Sequence, residues 1–99
     1  MTQRGLFDRT IQDRFEDFHG THPEVYEALV RFAREAVRAG RRHFGIRLLW
    51  ERMRWYMTIE RAPDDEFKLN DHFHSRYARL IMEQEADLSG LFEIRELKS

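Results

Sequence analysis

THPEVYEALVRFAREAVRAG, running from Thr21 to Gly40, is the stretch that decides the fold. Val25, Leu29, Phe32, Ala33, Ala36 and Val37 recur at spacings of three and four, which lays them along one stripe of an α-helix. Thr21-His-Pro-Glu24 reads as a capping box, in which the Thr21 hydroxyl accepts from a first-turn amide and Glu24 reaches back. Pro23 would stand in the first turn, where its missing N–H costs little. Gly40 is the expected stop. The other face of this helix holds Arg31, Arg34 and Arg38, with Arg41 and Arg42 just past the stop.

Upstream, Ile11, Phe15 and Phe18 at i, i+4 and i+7 predict a short helix over Arg9–His19, ended by Gly20. Residues 1–8 are expected to be a flexible N-terminus. Downstream, residues 42–46 read either as one short strand or as an extended entry into the next helix. Ile46, Leu49, Trp50, Met53 and Met57 then restore helical spacing up to Glu60, while Leu48, Trp55, Tyr56 and Ile59 broaden the apolar arc. A helix with so wide an arc is expected to be central and contacted on two sides, with Arg47, Glu51, Arg54 and Arg61 on its wet side. Pro63-Asp-Asp-Glu66 signals a turn. Asn70 or Asp71 caps a fourth helix reaching about Glu85, with Phe73, Tyr77, Leu80 and Ile81 inward and His72, Ser75, Arg76 and Arg79 outward. After a turn at Gly90, residues 91–97 carry a short period-2 pattern that admits a strand, with Phe92 and Ile94 on one side.

Ninety-nine residues suggest one domain spanning 1–99. The chain is 41% hydrophobic and 13% aromatic, too apolar for a disordered segment. It has no Cys, which excludes disulfides and cysteine-held metal centres. No signal peptide is read at the polar opening and no apolar run is long enough to span a membrane, so a cytoplasmic protein with no membrane partner is expected.

The order of elements fits a mainly α fold with a small β element. One architecture is a winged helix-turn-helix, in which the fourth helix enters the major groove and a terminal hairpin forms the wing. The alternative is a compact four-helix domain. A loop of about ten residues before Asn70 is long for the first, because a helix-turn-helix corner takes three or four, but the order of elements still ranks it ahead.

Charge is unevenly placed. The formal net charge is −1, yet residues 31–61 carry +6 between flanks of −3 and −4, and fifteen of the seventeen basic residues are Arg. Arg31, Arg34, Arg38, Arg41, Arg42, His72, Ser75, Arg76, Arg79 and Arg95 are therefore the candidate nucleic-acid contacts, with Arg95 and Lys98 on or beside the wing. Pairing of the middle with the acidic ends is the plainer account of the same charges.

Catalytic signals are weak. His72 and His74, two apart, point about 200° from each other on a helix and cannot share a metal there. Asp64-Asp65-Glu66 is more simply a solvated turn than a magnesium site. No serine has a glycine context of the nucleophile type, and no glycine-rich phosphate loop occurs. Neither an enzyme, nor a cofactor, nor a metal is expected. Trp50, Trp55 and Tyr56 belong to the core by spacing; any of them left on the surface would mark a partner or dimer interface.

Phe18-His-Gly-Thr-His-Pro-Glu-Val-Tyr26, Gly45-Ile-Arg-Leu-Leu-Trp-Glu51 with Arg54-Trp55, Phe67-Lys-Leu-Asn70, Ser75-Arg-Tyr-Ala-Arg-Leu-Ile81 and Gly90-Leu-Phe-Glu-Ile-Arg-Glu-Leu97 together resemble a family of small uncharacterised proteins of bacteriophages, prophages and bacteria. The resemblance covers roughly residues 15–98. It implies a phage or mobile-element setting, where small proteins regulate transcription, assist replication or block host defences, and it assigns no role to any residue. Two functions follow as expectations. One is binding of duplex DNA through the arginine-rich face. The other is docking on a host protein, as an anti-defence inhibitor or dimeric adaptor, and a homodimer is admitted.

Overall fold

The computed structural model describes residues 10–60 and 69–93. The N-terminal octet, Arg61, the turn at Pro63–Glu66, Ile94, Arg95 and Lys98 lie outside the described residues. Four helices carry the fold: α1 (Ile11–Thr21), α2 (Pro23–Arg38), α3 (Ile46–Trp55) and α4 (His74–Gln84). Two strands of two residues each, β1 (Phe44–Gly45) and β2 (Phe92–Glu93), complete it. The protein is mainly α with a small β element.

A capping box is present, but at the start of α1. The Thr10 hydroxyl accepts from the Asp13 amide at 3.0 Å and the Asp13 carboxylate accepts from the Thr10 amide at 3.3 Å. The box expected at Thr21–Glu24 does not form, because Thr21 is the last residue of α1. Gly20 does not stop α1 either, since its φ stays negative and the helix runs through it. The break falls at His22, the residue before Pro23, where the proline ring disfavours helical backbone. His22 then serves both helices as their shared cap, its ring nitrogen 3.1 Å from the Glu24 carboxylate.

α2 ends as expected. Gly40 takes φ +96°, its amide donates to the Val37 carbonyl, and the Arg41 amide donates to the Ala36 carbonyl, which together make a Schellman motif. α3 continues past Trp55 as a widened π-helical turn over Tyr56–Glu60. Asn70 opens the last helical run, its side chain accepting from the His72 amide across a 3-10 turn at Asp71–Phe73. Gly90, at φ +77°, makes the tight turn whose Leu91 amide donates to the Leu88 carbonyl.

β1 and β2 pair in parallel, Phe44 beside Phe92 and Gly45 beside Glu93. A hairpin joins antiparallel strands, so these two strands are not a wing of the hairpin type. Their pairing instead seals the end of the core, with the Phe44 and Phe92 rings edge-on at 5.6 Å.

The buried side chains form one cluster, which is what a single hydrophobic core requires. Trp50, Tyr77, Leu29, Met53, Ile81, Leu88 and Val25 are its largest wholly enclosed members. Phe15 of α1 meets Tyr77 edge-on at 4.7 Å and Phe73 at 5.8 Å, and Tyr77 in turn lies 5.8 Å from Trp50. α3 is the central element, packed on α2 along one flank and on α4 along the other.

Candidate interaction surface

α3 carries two apolar stripes. Ile46, Leu49, Trp50 and Met53 face the core and are buried. Leu48, Trp55 and, within the widened turn, Ile59 point the opposite way, at 56, 58 and 60% exposure. The inner stripe alone has the spacing of one buried helix face. Leu48 and Trp55, seven residues apart, repeat nearly in phase on the outer one. The expectation that Leu48, Trp55 and Ile59 extend the buried arc is thus corrected. α2 and α4 both pack on α3, and they leave these three side chains more than half exposed.

Beside this stripe runs a groove of about 280 Å³ between α2 and α3, lined by Phe32, Ala36, Leu48 and Leu49 with Glu35 and Arg52 at its edges. Arg52 is held in place twice. Its guanidinium carbon lies 4.2 Å from the Phe32 ring centroid, and it donates to the Glu60 carboxylate at 2.8 Å. One planar face of the guanidinium is therefore occupied by an aromatic ring, an arrangement that arginine favours. Tyr56 fills the space beyond, edge-on to Phe32 at 5.6 Å.

The candidate nucleic-acid residues do not share one condition. Arg34 is committed to the acidic end of the chain: it donates to Asp87 at 3.0 and 3.1 Å and to Glu85 at 2.9 Å. Glu85 also accepts from the Tyr26 hydroxyl at 2.8 Å. The Asp87 bond chiefly, with Glu85 adding to it, raises the Arg34 pKa further, and the Arg34 bond in turn lowers that of Asp87. Arg31 turns the other way, over the rings of Phe32 and Tyr56 at 5.1 and 5.5 Å. It shares a cleft of about 270 Å³ with two carboxylates, Glu24 and Glu27. On α4, Arg76 donates to the Gln12 side chain of α1 at 3.0 Å, Ser75 lies 3.2 Å from the His74 ring nitrogen, and Arg79 is half-buried. Arg38, Arg41, Arg42 and His72 are exposed. No carboxylate is paired with Arg38, Arg41, Arg42 or Arg47 among the described residues. Arg95 lies outside the described residues.

The remaining polar side chains hold elements together. Asp71, at the start of the 3-10 turn, accepts from the Trp50 indole N–H at 3.0 Å and pairs with the Arg54 guanidinium, which clamps α4 to α3. His72 and His74 part company: His72 is exposed, whereas His74 packs edge-on against Trp50 at 6.1 Å. Burial, then the nearby Arg47 and His72, lower the pKa of His74 from its ordinary 6.5. Burial first, and Glu24 next, raise that of Tyr77. Among the described residues no three His, Asp or Glu side chains converge as metal ligands, and no helix is long and apolar enough to cross a membrane.

The sequence alone put the outer stripe in the core because a wide apolar arc was read as contacted on two sides. The signal available was the count: six large apolar residues from Ile46 to Trp55, with Tyr56 and Ile59 beyond, exceed what one face of a helix holds. The chain matches no known family model, and no curated protein or solved structure is similar to it.

Proposed function

We propose that the protein is a non-enzymatic interaction module that docks on another polypeptide through the outer face of α3. One observation carries this reading: three large apolar side chains, one of them tryptophan, aligned and more than half exposed on a helix already packed along both flanks. Single exposed apolar residues are ordinary on any surface; a run of them on one helix marks a binding face. Tryptophan and arginine are the residues that most often dominate binding energy. Trp55 and the pre-ordered Arg52 supply both within one turn of helix.

The test compares the full chain with its Leu48→Asp/Trp55→Asp variant, both immobilised. The reading expects a stoichiometric polypeptide partner, its own chain or another, held by the parent and released by the variant, with helix content by circular dichroism equal in the two. A partner held equally by both, or none held by either, discards it.

Duplex DNA is the second reading. It is favoured by the exposure of Arg38, Arg41 and Arg42 around the end of α2 and of Arg47 in the first turn of α3. Against it stand Arg34 and Arg76, which are already bonded, and Arg31, which is interleaved with carboxylates. DNA binding of this kind would weaken steeply with salt and vanish in the Arg38→Ala/Arg41→Ala/Arg42→Ala variant. Retention unaffected by salt would remove it.

A further inference from the structure

The outer face of α3 reads nearly the same in both directions. Along the helix it presents Leu48, Arg52, Trp55 and Ile59. Laid antiparallel against itself with the midpoint between Met53 and Arg54, the helix sets Leu48 beside Ile59 and Arg52 beside Trp55. Both pairs are chemically matched, aliphatic on aliphatic and guanidinium on indole. A face evolved for an unrelated partner needs no such symmetry, whereas a two-fold interface is self-complementary by definition.

The local geometry fits the same arrangement. The Arg52 guanidinium has one face on Phe32, and its side chain is still 36% exposed, so its other face is open to a second ring. Because Glu60 and Phe32 already fix it, little side-chain entropy remains to be lost when an indole arrives. Leu48 forms the lip of the groove between α2 and α3, which puts the partner subunit's Ile59 at the groove mouth, over Phe32, Ala36 and Leu49. A standard interface takes about 800 Å² and some 20–30 residues from each partner, more than a single stripe offers; the groove adds to it. Antiparallel packing also sets opposite helix-dipole ends side by side.

We propose that the face is closed by a second copy of the same chain, through an antiparallel α3–α3 contact about a two-fold axis. This rests on the reading of α3 as a docking face and names its occupant. The contact is isologous and closed, so it ends at the dimer.

The experiment is sedimentation equilibrium of the full chain across the micromolar range, beside Trp55→Asp. The parent is expected at twice the 12.1 kDa chain mass. The variant is expected as a monomer of unchanged helix content, its dissociation constant raised by at least about 30-fold, as loss of a dominant interface residue implies. Direction is tested by cysteine pairing, for which the chain is suited because it has no native Cys. Leu48→Cys and Ile59→Cys chains, mixed and oxidised, are expected to cross-link with each other, while either alone does not. The two copies of residue 48 would stand about 16 Å apart along the axis.

A parent that stays monomeric overturns the second-copy proposal and leaves the docking face to the comparison of immobilised chains above. A Trp55→Asp chain that dimerises as tightly as the parent overturns the proposal by showing that another surface pairs. Cross-linking of Leu48→Cys with itself overturns the antiparallel direction.

Discussion

Trp50 and Trp55 stand five residues apart on α3, and their surroundings are opposite. Trp50 is 1% exposed, donates its indole N–H to Asp71 and touches His74 and Tyr77. Trp55 is 58% exposed. Five residues on an α-helix turn the side chain by about 140°, so when one ring faces the core the other must leave it. The first ring is a structural anchor and the second is free for recognition. A single helix can therefore serve the fold on one side and a partner on the other, provided its neighbours occupy only its flanks.

The contrast can be broken most sharply at Trp50. Trp50→Ala should lower the unfolding free energy by about 3–5 kcal/mol in a urea titration, the size expected for a deleted buried aromatic. A loss below about 1 kcal/mol would mean that the ring is not enclosed. Next in size is Asp71→Ala, which leaves the Trp50 indole N–H without its acceptor and should cost about 1–3 kcal/mol by the same titration.

A smaller effect is expected with pH. His74 has a lowered pKa in the folded chain, so just below pH 6.5 the unfolded chain binds more protons than the folded one. Stability should consequently fall as pH drops from 7 through that window. His74→Gln should flatten the midpoint-against-pH curve there. An unchanged slope would show that the imidazole packed on Trp50 is not what titrates. Asp87 does not confuse the window, since its lowered pKa places its own loss below its ordinary 3.8. The least effect on folding of the single chain should come from Trp55→Ala, within about 0.5 kcal/mol, as for a surface substitution. Acrylamide quenching at a concentration low enough to hold the chain as a monomer should then resolve an accessible and a protected indole, and Trp55→Ala should abolish the accessible one.

Local signals made much of the architecture legible. The stripe Val25–Leu29–Phe32–Ala33 marked α2, Gly40 its stop and Asn70 the cap before α4, because each depends on residues within one or two turns. Cap placement at Thr21 misled, since α1 ran on through Gly20 and absorbed Thr21, and Pro23 rather than Gly20 set the boundary. The pairing of β1 with β2 joins residues 48 apart, and nothing local announces whether two such dipeptides meet in parallel or in a hairpin.

The candidate arginines divide in the same way. Composition located them in the middle of the chain, but Arg34 finds Asp87 and Glu85 more than fifty residues away, and Arg76 finds Gln12 sixty-four residues away. Whether a guanidinium is available to a ligand depends on such distant carboxylates and amides, which helical spacing does not report.

By itself the amino-acid sequence determined that this chain is mainly helical, where α2 ends, which residues of α2 and α4 are apolar and how its charge is blocked along its length. Only the tertiary structure decided which of the apolar residues of α3 are inside, which arginines are already paired, and that the short strands run side by side. The physical reason is one of range: helix propensity, periodicity and capping are set by neighbours in the chain, whereas burial and charge pairing are set by what the other helices bring against a surface.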